Sequence, residues 1–189
     1  RACDSGVLQR TKQMGVRCAG VVGSSKKVDA AKKMGATHVI DKSTEDLWAR
    51  AKEIAPDGYD VVLDANGVKT LRESFLHTKQ AGRLVVYGFA TMLPKKGKPN
   101  WIALAWDFLR TPRFSPFELL AKNKSVMAFN LSYLFGKTEL LDEGMAYIME
   151  HVRSGTFKLR EVTTFAVDDV ASAHRAIESG TTVGKLVVT

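Results

Sequence analysis

Short apolar runs alternate along the chain with longer stretches in which apolar residues recur every three or four positions. Continuous apolar runs suit strands buried on both faces, and the longer period suits amphipathic helices laid over them. The alternation therefore predicts an α/β fold with a mostly parallel sheet. Residues 17–22 (RCAGVV) read as a buried strand. Gly23, Ser24 and Ser25 then lead into a helix that runs through Met34 and stops at Gly35. Residues 37–40 (THVI) form a second strand. Ser43 with Asp46 reads as a capping box, opening a helix on which Leu47, Ala51 and Ile54 share a face. Pro56-Asp57-Gly58 turns the chain into a third strand, Tyr59 to Asp64 (YDVVLD), which ends in an acid. A helix over roughly 69–79 follows, and Gly82 opens a strand from Arg83 to Tyr87 that stops at Gly88.

The alternation pauses over residues 91–117, a basic stretch containing Trp101, Trp106, Phe108, Phe114 and Phe117. A structureless loop of that length is unusual, so helices are predicted over 102–109 and 116–122. Ser125 to Leu131 (SVMAFNL) reads as a strand. Residues 138–153 read as a helix with Leu141, Met145, Ile148 and Val152 in one stripe. Residues 161–165 are strand-like. Asp168 is placed as the cap of a last helix, with Val167 as its hydrophobic staple and Gly180 as its stop. Residues 185–188 make a final strand. No internal repeat or interdomain linker interrupts the pattern. We divide the chain into residues 1–160, a nucleotide-binding unit incomplete at its N-terminus, and residues 161–189. The latter is a strand–helix–strand that belongs to the same unit or returns toward a further domain.

Composition changes this picture little. The 189 residues are 45% hydrophobic and 25% charged, the profile of an ordinary globular chain. No apolar run reaches the ~20 residues that span a bilayer. Arg1 in place of methionine implies upstream sequence lost or left out. The formal net charge of +8 favours anionic partners, although most of the lysines, clustered at 26–27, 32–33 and 95–98, read as solvated surface. Cys3 and Cys18 cannot build a disulfide scaffold, and no Cys/His spacing offers a zinc site. A reducing, cytoplasmic setting is expected, with mitochondria as the alternative.

Several stretches carry a resemblance: Lys12-Gln13-Met14-Gly15, MGATHVID (34–41), YDVVLD (59–64), GRLVVYG (82–88) and VGKLVV (183–188). In this order they resemble the cofactor domain of zinc-independent medium-chain dehydrogenase/reductases. Residues 110–134 (RTPRFSPFELLAKNKSVMAFNLSYL) resemble the vesicle amine transport protein branch of the quinone-oxidoreductase-like group. The resemblance implies a Rossmann-like, doubly wound sheet, NADPH as cofactor, reduction of quinones or activated enones, and a homodimer joined through the edge strand Ser125 to Leu131. The family's first strand is missing, and its Gly-rich phosphate turn falls on Arg1-Ala2-Cys3-Asp4, where no glycine stands.

The run 17–22 corresponds to the family's second strand, whose end reads the adenosine ribose. Gly23-Ser24-Ser25-Lys26-Lys27 contains no acid there, which suits a 2′-phosphate rather than a free 2′-hydroxyl. Lys27 aligns with the family's phosphate-contacting lysine, and Lys42 stands within reach where the family often has tyrosine. Helix capping by Ser24 or Ser25 and solvated lysines are the plainer reading. Asn66 and Gly67 sit beside the cofactor in the family, or simply make a tight turn. Tyr87 and Gly88 end a strand on the same rim. Phe129, Asn130 and Leu131 match backbone near the nicotinamide amide, or pack an edge. Gly184 and Lys185 match a terminal cofactor contact, or a bulge. No catalytic constellation is evident, since His38, His77, His151 and His174 have no partner legible in sequence. The resemblance places substrate contacts in a GroES-like catalytic barrel. The competing readings are a non-catalytic relative serving as a complex subunit, nucleic-acid binding, and membrane-surface contact through residues 95–117.

Overall fold

A computed structural model describes residues 2–90, 100–159, 161–179, 182 and 184–189. The chain divides into two compact units, one formed by Arg1–Arg50 with Glu139–Thr189 and the other by Ala51–Thr138.

The first unit opens with a helix absent from the sequence reading, α1 (Ala2–Gln13). Strand β1 (Ala19–Val22), a 3-10 turn (Ser25–Lys27), helix α2 (Val28–Lys33) and strand β2 (His38–Asp41) follow. β1 and β2 pair in parallel from Ala19↔His38 to Val22↔Asp41. Leu8 of α1, Ala31 of α2 and Ala36 form a buried core, joined by Cys18, Val22, Met34 and Val39. Gly35 is required where it stands: its φ is +114°, and an added Cβ would lie 2.7 Å from the Leu8 carbonyl oxygen. Burial pushes the Cys18 thiol up from its ordinary pKa, which suits a small core residue rather than a reactive thiol.

The same unit holds most of the long helix α7 (Thr138–Arg153), then β6 (Val162–Phe165), α8 (Val170–Glu178) and β7 (Lys185–Val188). β6 and β7 pair in parallel, the signature of a strand–helix–strand crossover. The predicted stripe on α7 is packed in part: Leu141 and Val152 are half-buried, whereas Met145 and Ile148 are 57% and 47% exposed. Tyr147 and His151 also pack, ring centroids 4.1 Å apart, with Phe157 beside them and Arg10 of α1 4.9 Å above the Tyr147 ring. Gln9 of α1 locks this contact through paired bonds with the Lys158 backbone of 2.6 and 3.2 Å. The cap of α8 also departs from expectation. Asp169, not Asp168, holds the N-cap position, because a 3-10 turn (Val167–Asp169) precedes the helix and leaves Val167 exposed rather than stapled.

Helix α3 (Leu47–Ile54) leads into the second unit. Its cap is Asp46 alone, whose carboxylate accepts the Ala49 N–H at 2.7 Å, while the Ser43 hydroxyl turns away to Asp41. The capping-box reading is therefore corrected by a competing acceptor. Strands β3 (Tyr59–Asp64), β4 (Thr78–Val86) and β5 (Ser125–Ala128) form a parallel sheet in the order β3-β4-β5. Between β3 and β4, helix α4 (Leu71–Leu76) is shorter than predicted and β4 longer. The chain re-enters the sheet at Thr78, whose hydroxyl bonds the Ser74 carbonyl, with an irregularity between Tyr59 and Val61. Leu71, Phe75, Leu84 and Val86 are buried at its core, and Phe75 meets Phe114 with ring centroids 4.8 Å apart. The Lys124 ammonium caps the last carbonyls of α4, at 2.9 Å from Phe75 and 3.2 Å from Leu76. Partial burial holds its pKa below the usual lysine range.

Helix α5 (Trp101–Arg110) begins at an Asn100 cap, and α6 (Pro116–Lys122) at a Ser115 cap followed by proline. Both match the sequence reading closely. β5 is shorter than predicted, because Asn130 caps a 3-10 turn (Leu131–Tyr133) and breaks the strand. Among the described residues every strand pairing is parallel, while β1 pairs only with β2 and β3 only with β4. Val21 on β1 and Val61 and Leu63 on β3 are 43–49% exposed. Parallel strands joined by helices within each unit make the fold α/β and Rossmann-like.

Candidate functional site

In doubly wound folds ligands lie at the carboxyl ends of the strands. In the first unit that rim is where β1 and β2 end together, at the registered pair Val22↔Asp41. The Lys42 N–H then bonds the Val22 carbonyl at 3.1 Å, tying the two exits. Asp41 is 6% exposed. Its carboxylate accepts the Ser25 hydroxyl at 2.5 Å, the Ser43 hydroxyl at 2.6 Å and the Ser43 N–H at 3.0 Å. These donors, Ser25 foremost, hold its pKa below the ordinary aspartate value. The turn after β1 is therefore strapped to the turn after β2 through one acid.

This geometry separates the predicted adenosine-end residues. Ser25 donates its proton inward, so it is a structural anchor. Ser24 is extended, with φ −165° and ψ 140°, and its side chain makes no cap hydrogen bond. Ser24 thus stands at the N-cap of the 3-10 turn by backbone position only, and Ser25 lies inside that turn. The Lys42 stem crosses over Gly23, its Cε 3.5 Å from where a Cβ would stand. Lys27 closes the 3-10 turn, its N–H bonded to the Ser24 carbonyl at 2.9 Å. The structure thus brings Ser24, Ser25, Lys27 and Lys42 to one rim. Asp41 and Ser43 were missed as members; an acid ending a strand and followed closely by serine is the signal that marks them.

The second unit has a corresponding rim. Asp64 ends β3 and is 3% exposed. It accepts the N–H groups of Asn66 and Gly67 at 2.8 and 3.0 Å, and the hydroxyls of Thr70 and Ser74, each at 2.7 Å. Gly67 has φ +84°, and a Cβ there would lie 2.4 Å from the Phe89 ring. Gly88 is close-packed as well, its missing Cβ 3.0 Å from the Ala65 carbonyl oxygen. Tyr87 and Phe129 stack with ring centroids 6.1 Å apart. Asn66, Gly67, Tyr87, Gly88 and Phe129 therefore share this rim. The Asn130 side chain is engaged in accepting the Ser132 N–H at 3.0 Å, and Leu131 is exposed.

Gly184 and Lys185 lie at the start of β7, not at a strand's carboxyl end. Gly184 has φ +101° and meets the Glu161 carbonyl, which also accepts the Lys185 N–H at 2.9 Å. Close approach of the backbone at Glu161 accounts for that glycine. The position assigned to the Gly-rich turn is different again: Ala2, Cys3 and Asp4 lie within α1, and Arg1 lies outside the described residues. A cleft of about 330 Å³ in the second unit is lined by Val68, Lys69, Asp107 and Arg110, none of them singled out from sequence. The segment Lys95, Lys96 and Lys98, and the stop at Gly180, lie outside the described residues. His77 and His151 each direct Nδ1 at a carbonyl one turn back, at 2.9 and 2.8 Å. No group of three or more His, Cys, Asp or Glu suited to a metal occurs among the described residues. No described helix is long and apolar enough to cross a membrane.

The profile of the zinc-binding dehydrogenase family matches residues 34–188. Among curated relatives, the synaptic vesicle membrane protein VAT-1 homolog of Danio rerio is 32% identical over 166 residues, 88% of this chain and 34% of that protein. The Homo sapiens homolog is 31% identical over 87% of this chain and 42% of its own length. A 2-haloacrylate reductase of Burkholderia sp is 27% identical over 94% of this chain and 49% of its own. Among solved structures, Escherichia coli quinone oxidoreductase complexed with NADPH superposes with a TM-score of 0.72 at 26% identity, covering 96% of this chain and 52% of that one. The Pseudomonas syringae quinone oxidoreductase gives 0.73 at 25%, over 97% and 52%. The chain spans less than half the length of these curated relatives.

Proposed function

Because the chain belongs to the medium-chain dehydrogenase/reductase family, in its quinone-oxidoreductase-like, VAT-1 branch, we propose that it is the NADPH-binding portion of a reductase of quinones or activated enones. The observation that carries this reading is the rim of β1 and β2. It places the Ser24 hydroxyl, which makes no cap hydrogen bond, beside the Lys42 side chain, and its acid, Asp41, is turned inward onto hydroxyls. That donor set fits a phosphate monoester on the adenosine ribose, the feature that separates NADPH from NADH.

In this reading Ser24, Lys27 and Lys42 hold the 2′-phosphate, and Asn66, Gly67, Tyr87 and Gly88 line the nicotinamide half. Phe129, Asn130 and Leu131 would flank it, and Gly184 with Lys185 would close the far end. When bound, NADPH supplies the hydride. The chain's own residues bind and orient it. Substrate contacts are assigned to a separate catalytic domain, and residues 161–189 either complete the nucleotide-binding unit or lead toward that domain. By itself the chain should therefore not consume NADPH with a simple quinone. A zinc-independent, cytoplasmic homodimer is the matching assembly, with the outer edge of β5 as its seam.

The test is equilibrium binding to the full-length protein, followed by nicotinamide fluorescence. NADPH should bind at least about tenfold tighter than NADH, and Lys42→Ala should remove about one charged hydrogen bond's worth of that preference. Binding of neither nucleotide would overturn the reading. A non-catalytic complex subunit would then be favoured, on the observation that Ala2–Asp4 are helical where the family's phosphate turn was expected.

A further inference from the structure

We infer that Asp41 is the positioning residue that makes this rim selective for a 2′-phosphate. It does so by holding the Gly23–Ser25 turn in register with the Lys42 side chain. The inference rests on the NADPH reading above.

A carboxylate only accepts hydrogen bonds, so both serine protons it receives point into the protein. Ser25 presents lone pairs, not a proton, to anything above it. It therefore cannot donate to a phosphate, and its value to the site lies in where it fixes the backbone. The bond from Ser25 to Asp41 closes 16 residues of chain onto the end of β2. On the other side the same carboxylate fixes Ser43, next to Lys42, through both its hydroxyl and its N–H. The donors beside this strap are the Ser24 hydroxyl and the Lys42 ammonium. They hang on either side of this one acid: Ser24 next to one anchored serine, Lys42 between the acid and the other.

The Lys42 stem lies over Gly23, its Cε 3.5 Å from where a Cβ would stand, so a side chain at position 23 would press on it. The carboxylate's own charge is met by three donors from Ser25 and Ser43. This hydrogen bonding limits the repulsion it exerts on an anion above. Asp41 therefore acts through its neighbours rather than by touching the nucleotide.

The experiment compares NADPH and NADH affinities of the full-length protein for wild type, Asp41→Ala, Asp41→Asn, Ser25→Ala and the Asp41→Ala/Ser25→Ala double variant. Circular dichroism checks that each is folded. Asp41→Ala should weaken NADPH by about tenfold, the effect of one lost charged hydrogen bond, and NADH by less than about threefold. Asp41→Asn keeps an acceptor for Ser43 and a partner for Ser25, so it should fall between wild type and Asp41→Ala. It also carries the test if the alanine variant does not fold. Ser25→Ala should mimic Asp41→Ala, and the double variant should be no worse than either, as for one shared strap. Equal losses for both nucleotides would reduce Asp41 to a general structural role and overturn the proposal. Tighter NADPH binding in Asp41→Ala would overturn it too, by showing that the acid repels the phosphate. A wild type without preference would be seen before any variant is read, and would sink the underlying NADPH assignment.

Discussion

Asp64 and Asp41 both end parallel strands, yet they are held in opposite ways. Asp64 draws its donors from the ten residues that follow it: two backbone amides of its own turn and two hydroxyls of the next helix. The Asp41 carboxylate reaches back across the sheet to Ser25 as well as forward to Ser43. The first arrangement fuses a single turn to a single helix and needs nothing from elsewhere. The second couples two turns that are far apart in sequence. An acid fastened locally governs whether its unit folds, whereas an acid fastened across strands governs the shape of the rim between them.

The largest effect that would break this contrast is expected at Asp64. Asp64→Ala leaves two amides and two buried or half-buried hydroxyls without their acceptor, and should cost about 3 kcal/mol in chemical denaturation. A cost below about 1 kcal/mol, the typical net worth of one hydrogen bond, would mean the turn is held by something else. Gly67→Ala probes the same turn sterically. A Cβ in that left-handed position would run into the Phe89 ring, and a loss of about 2 kcal/mol is expected by the same measurement.

The smallest effect concerns pH and belongs to Asp41. Its folded pKa is held below the unfolded value by the Ser25 and Ser43 hydroxyls and the Ser43 amide. The stability it contributes is therefore fully present above the ordinary aspartate range. It is lost as pH falls through the lowered folded value. Wild type should lose more stability than Asp41→Asn on acidification through that window, and the two should run parallel at neutral pH. Identical acid titrations would remove the strap from the comparison.

Much of this was legible in the sequence, and the failures share a cause. The apolar runs matched β1, β2, β3 and β7 within two residues, and the helices expected at 102–109 and 116–122, from the length of a stretch too long for a bare loop, are α5 and α6. Their caps, Asn100 and Ser115, were not read from the sequence. The misreadings came where a distant group competed for a local one. Ser43 looked like a cap, but Asp41 took its hydroxyl. The stripe on α7 was real as a pattern and is packed in part, but Arg10 and Phe157 pack the Tyr147 face as well. Helix α1 was overlooked because ACDSGVLQRTKQ carries few apolar residues, and Leu8 alone anchors it in the buried core. At the candidate site the lysines could be read from sequence. The acid organising them was overlooked, because its partner Ser25 lies 16 residues away and its local signal, a serine two positions on, reads first as a cap.

Helix α5 exposes 76% of Trp101 and 59% of Trp106, whereas Trp48, the third tryptophan of the chain, is half-buried. Two of the three indoles therefore emit from water. The intrinsic fluorescence of this chain is in effect a built-in probe of one helix: whatever comes to rest on α5 announces itself by a blue shift, with no label attached.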